Sequence, residues 1–190
     1  MSRLLAFWHR VRASPPVPRP SCSPSGSRAA LRWSVAPECY GQPVDRRYLP
    51  LLLASNRFAP STEQEPLDRL RLQKGVFLLE MRGPEGWRGL YEYLPWDWGP
   101  FSRDLAVEVN DLVRHGLIEE KPVQRRRHPR YRTTTAGEEK LDHLVSALAN
   151  HEKEYVRKVR AYVTSRSFSQ LLREVYNTYP EYAVASRFQG

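Results

Sequence analysis

The sequence predicts a mainly helical fold that carries one small antiparallel β-hairpin. Three observations support this. Apolar residues recur at helical spacing in several separate stretches, as at Leu105, Val109, Leu112 and Val113. Two short β-type segments, LIEEKPV and YRTTT, flank a basic turn, QRRRHPR. Residues that start helices stand where the pattern changes, with Ser102 and Thr135 each opening an apolar stripe.

Folded structure is expected over residues 44–190, and residues 1–43 read as a separate arm. DRRYLPLLLASNR predicts a first helix, ended by Pro60. A second helix follows STEQEP, with Pro66 in its first turn, where a missing N–H costs nothing. Its residues Leu67, Leu70, Phe77 and Met81 fall close to one face, and Lys74 beside them is expected to face solvent or to snorkel. GPEG is a turn, and WRGLYEYL alternates as a strand, with Leu90 opposite Tyr91 and Tyr93.

Ser102 then caps a third helix, with Asp104 favoured by the positive end of its dipole. His115 and Gly116 end that helix and lead into the two hairpin strands. Thr135-Ala-Gly-Glu138 has the form of a capping box. It opens a long helix with Leu141, Leu144, Val145 and Leu148 on one face, continuing through Tyr155, Val159 and Tyr162. FSQLLREVYNTY is a last helix that stops at Pro180. The helices after the hairpin either build a homodimer interface or pack back on the first helix.

Charge is distributed unevenly. The formal net charge is +9. Residues 1–37 hold six Arg and no acid, and residues 117–133 hold six bases against two acids. The rest is nearly neutral, so an anionic partner would meet one of these two stretches. The arm also holds seven of the sixteen prolines, a composition expected to stay disordered. It reads as a nucleic-acid-binding arm, an organelle transit peptide, or upstream sequence translated from a mis-assigned start.

Both cysteines, Cys22 and Cys39, precede the folded part, which leaves no thiol for a disulfide, zinc site or nucleophile there. A reducing, cytoplasmic setting is the simplest expectation. The apolar run from Tyr48 to Ala54 is far short of the roughly 20 residues a membrane helix needs, so no membrane partner is expected.

No catalytic constellation stands out, and no metal or cofactor is expected. His143 and His151 lack a third ligand at metal spacing, and HEKEY lacks the second histidine of a zinc-protease helix. RGPEGWRG has neither the glycine pattern nor the lysine of a phosphate loop.

The stretch DLVRHGLIEE…RYRTTTAGEEKL resembles the end of a winged helix, with the two strands as its wing. DRLRLQKGVFLLE, a strand and then PWDWGPFSRDL are similar to the bacterial Panacea-type (SocA-like) antitoxin domain and the related YwgA-like proteins. That resemblance spans roughly residues 45–148 and implies a small bacterial, non-enzymatic protein that neutralises a toxin by direct contact. The chain departs from the pattern at Phe101 and Ser102 and in its arginine-rich wing.

Two groups of candidate site residues follow. Lys121, Arg125, Arg126, Arg127, Arg130 and Arg132 place six cations on the wing, suited to phosphates or to a carboxylate surface. Trp96, Trp98 and Phe101 read as a plug between the second and third helices, as a partner-binding patch, or as a base-stacking surface. The function expected is binding of a partner protein, a toxin under the resemblance. The alternative is a transcriptional regulator bound to double-stranded DNA, although the third helix shows Asp104, Glu108 and Asp111 where a groove-reading helix needs positive charge.

Overall fold

One helix without a polar face organises the structure. The computed structural model describes residues 45–59, 67–122 and 129–188. The chain divides into two units, Met1–Glu38 and Cys39–Gly190, and every described residue belongs to the second. In chain order the helices are α1 (Tyr48–Ala54), α2 (Arg69–Arg82), α3 (Arg103–Arg114), α4 (Thr135–Ala147), α5 (Asn150–Thr164) and α6 (Phe168–Thr178). The strands are β1 (Leu67–Asp68), β2 (Leu94–Trp96), β3 (Gly99–Phe101), β4 (Ile118–Lys121) and β5 (Arg130–Thr133). The fold is therefore mainly helical with small antiparallel sheets.

All residues of α2 from Leu72 to Glu80 are buried, as expected of a helix surrounded by other elements. It packs against α1, α5 and β3. A Cβ at Gly75 would lie 2.2 Å from Leu53 Cδ2, so the glycine is what lets α1 approach this closely. Tyr155 of α5 donates to the Leu78 carbonyl at 2.6 Å. Arg71 reaches from the start of α2 to the carbonyls of Val163 and Arg166, at 2.9 and 2.7 Å. Below the helix, the Phe77 ring meets Tyr93, Tyr179 and Tyr182 edge-on, with centroids 5.0 to 5.1 Å apart. Through α5 and the turn after α6, the C-terminal elements thus pack back onto α2.

The larger sheet is antiparallel in the order β1-β5-β4, with Leu67 opposite Tyr131 and Ile118 opposite Thr133. β2 and β3 form a separate hairpin, with Leu94 opposite Phe101 and Trp96 opposite Gly99. It is inserted between α2 and α3.

Four sequence expectations are corrected. Leu67 lies in β1, and α2 begins at Arg69 with Asp68 as its cap, whose carboxylate accepts from the Arg71 N–H at 2.8 Å. WRGLYEYL forms no strand before Leu94. The buried Glu80 carboxylate takes the N–H groups of Leu90 and Tyr91, at 2.8 and 3.2 Å, and the Tyr93 hydroxyl at 3.0 Å. That side chain supplies the acceptors a neighbouring strand would have given.

α4 is capped by Thr134 rather than Thr135, its Oγ1 accepting from the Gly137 N–H at 3.1 Å. A Cβ at Gly137 would fall 2.1 Å from the Leu117 carbonyl oxygen, which holds the frame at that residue. Glu138, the expected partner in the capping box, instead accepts from Ser55 Oγ at 2.8 Å and pairs with Arg57 at 2.8 Å. The single long helix is two. Leu148 is extended, and Glu152 accepts from the Ala149 N–H at 2.8 Å to restart the chain as α5.

Candidate functional site: an aromatic cleft above a buried lysine

The stretches LQK and WGPFS, far apart in sequence, meet as two halves of a clamp. Gln73 Nε2 donates to the Ser102 carbonyl at 3.0 Å, and the Ser102 N–H donates back to Gln73 Oε1 at 3.1 Å. One helical side chain thus pairs with a backbone amide as a neighbouring strand would. One residue on, Lys74 Nζ donates to the Pro100 carbonyl at 2.6 Å. Gly99 turns at φ +84°, where a side chain would be strained, and a Cβ there would lie 2.9 Å from the Tyr176 ring. Gly99 and Pro100 are buried, so β3 lies on α2 through its backbone.

This backbone docking turns the rings outward. Trp96 is 56 % exposed and Trp98 41 %, and Phe101 is half-buried. The two tryptophans therefore do not plug the space between α2 and α3. Trp87, Tyr91 and Tyr93 are the rings of this region that fill the interior. Trp96 stands 6.1 Å from Phe101, and Trp98 meets Phe168 of α6 edge-on at 5.3 Å. Together they wall a cleft of about 750 Å³, with Lys74 inside it and Asp68, Arg69 and Arg130 around it.

Lys74 overturns the expectation of a lysine that faces solvent or snorkels to it, being 3 % exposed with its ammonium on the Pro100 carbonyl. Burial lowers its pKa to about 7. The acids nearby are engaged elsewhere. Asp68 pairs with Arg71, and Asp97 pairs with Arg187 at 3.0 Å. Arg69 is exposed and makes no hydrogen bond or ion pair among the described residues. The sequence signal for Lys74 is the apolar run Val76-Phe77-Leu78-Leu79 directly after Gln73-Lys74-Gly75, which with Leu72 leaves that part of α2 no polar face for a lysine.

The wing residues are placed differently. Arg125, Arg126 and Arg127 lie outside the described residues. Arg132 donates to Glu119 across the hairpin at 2.6 Å, and Lys121 pairs with the same carboxylate at 3.6 Å. The Arg132 hydrogen bond holds the Glu119 pKa below its ordinary value. Arg130 is buried and partnered. At Lys121 and Arg132 the charge is met within the hairpin, and Arg130 is buried rather than presented freely.

The acids of α3 are partly neutralised by the segment before α1. Arg46 reaches Asp104 and Glu108 at 3.6 and 3.2 Å, and Arg47 reaches Glu108 at 3.8 Å. Arg114 pairs with Asp111 on the same helix. Among the described residues, no helix is long and apolar enough to cross a membrane. No family model matches the chain, and no curated protein matches it either.

Proposed function

We propose that this chain is a non-catalytic interaction protein that holds a partner protein on the outer face of its β2-β3 hairpin. The observation that carries the reading is the exposure of Leu94, Trp96, Trp98 and Phe168 on elements held by buried hydrogen bonds. Large exposed apolar groups, and tryptophans above all, supply much of the energy at protein interfaces. The clamp adds preorganisation, which lowers the ordering entropy lost on association. The resemblance of LQKG and PWDWGPF to Panacea-type antitoxins supports a toxin as the partner.

The test is co-expression with the product of the neighbouring reading frame, followed by size-exclusion chromatography. Trp96→Ala and Trp98→Ala are expected to stay folded and to weaken the complex by about 2 kcal/mol or more each. A double variant that keeps full affinity overturns this reading.

A second reading, a winged-helix DNA binder, is favoured by the order α3, β4, β5, with β1 closing the sheet, and by the basic sequence between the two hairpin strands. It expects duplex affinity that falls steeply with salt and is lost when Arg125, Arg126 and Arg127 become Ala. The acidic stripe on α3 and the internal pairing of Lys121 and Arg132 weigh against it.

A further inference from the structure

We infer that the cleft above Lys74 binds a small carboxylate with a flat apolar body, the ammonium taking the carboxylate and the rings enclosing the rest. This goes beyond the partner-protein reading and does not depend on it. An ammonium has three N–H donors, and among the described residues Lys74 uses one, on the Pro100 carbonyl. Two donors therefore remain at a position that is 97 % shielded by residue area, since its exposure is 3 %. Leaving buried donors unmatched is unfavourable, and a buried cation with no counter-charge is more so. No acid of this chain answers it among the described residues, because Asp68 and Asp97 are tied to Arg71 and Arg187.

The remaining features match the other parts of such a ligand. Trp96, Trp98, Phe101 and Phe168 give flat apolar walls. The cleft, about 750 Å³, falls within the roughly 300–1,000 Å³ common for small-molecule sites. Arg69 at the rim adds a second cation. A carboxylate suits the site better than a phosphate, because Lys74 is buried while Arg69 is exposed, so the one desolvated ammonium balances one negative charge and a phosphate's second charge would fall to a solvent-screened cation.

The ionisable groups that face the cleft are few. They are Asp68 and Arg69 at the start of α2, Asp97 in the hairpin turn, Arg130 of β5 and Tyr176 of α6 beside Gly99. Both acids are ion-paired, and burial raises the Tyr176 pKa. Lys74 is thus the group whose charge changes near neutrality.

The experiment uses the full chain with indole-3-acetate and indole-3-acetamide, near-isosteric probes that differ in charge, titrated calorimetrically. At about pH 6 the acid is expected to bind about tenfold or more tighter than the amide, because Lys74 is then charged. At about pH 9 the acid should weaken by about tenfold or more while the amide is unchanged. Lys74→Gln removes the acid's advantage if it folds. Because Lys74 also holds Pro100, the acid-amide comparison in the unmodified chain is the deciding measurement, with Arg69→Gln as an exposed control expected to lose about two- to fivefold. Equal binding of acid and amide, an acid affinity independent of pH, or no binding of either at about 10 mM overturns the proposal.

Discussion

Replacing Lys74 by methionine tests the buried ammonium through the stability of the whole domain. Burial lowers the lysine's pKa from 10.5 to about 7. Between those values the unfolded chain binds more protons than the folded one, so stability rises with pH. Below about pH 7 both states carry the charge, and its burial costs on the order of 5 kcal/mol at all lower pH. From about pH 7.5 to about pH 9.5 the two titration curves imply a gain on the order of 2–3 kcal/mol.

Urea unfolding followed by tryptophan fluorescence, repeated across that interval, measures the gain directly. Lys74→Met loses the hydrogen bond to Pro100, about 1 kcal/mol, at every pH. It should also lose the slope. The tyrosines Tyr91, Tyr93 and Tyr155, whose pKa values burial raises, bring stability down only once the pH passes the unfolded value near 10. The buried Glu80, whose pKa burial also raises, contributes stability that is present below the unfolded value and lost as pH rises through the folded one, so it cannot produce a rise with pH. Parallel curves for the two proteins would refute the reasoning, since they would mean that Lys74 is not a desolvated cation.

Three further outcomes are expected. Trp87→Ala, at a residue 2 % exposed, should cost about 3–5 kcal/mol in urea unfolding, whereas Trp96→Ala should cost less than about 1. Gly99→Ala should cost about 1–3 kcal/mol, because it forces a side chain to positive φ and into contact with Tyr176, and a thermal melt reads the loss. Gln73→Leu keeps the shape of α2 but strands the Ser102 N–H and carbonyl. It should cost about 2–5 kcal/mol and speed exchange of the Ser102 amide proton.

The sequence revealed those parts of the fold whose signals are local. Ser102 caps α3, its Oγ accepting from the Leu105 N–H at 3.2 Å, and Leu105, Val109 and Leu112 are buried below it. β4 and β5 pair as expected, since their flanking signals, Gly116 and the threonines, act over a few residues. What was hidden depended on partners distant in sequence. Two-residue β1 has no periodicity to read, and its strand character comes from Tyr131. The run from Trp87 to Tyr93 alternates like a strand, but Glu80 takes its backbone donors. At the site, Trp96 and Trp98 were legible as candidates, while their exposure follows from a clamp between residues 29 positions apart. Phe168, on the opposite wall, carried no signal of its own in the sequence.

The central position of α2 bears on how the chain is made. Its cover arrives late, since Arg71 at its start is held by the carbonyl of Val163, which is 92 residues further along. A ribosome releases residues in order, so α2 emerges with α1 already beside it, but the face that α5 covers stays exposed until α5 has followed. Contacts this distant slow the search for the native state. Nascent chains halted between α3 and α5 should therefore engage chaperones or clump, while chains released after α5 settle unaided.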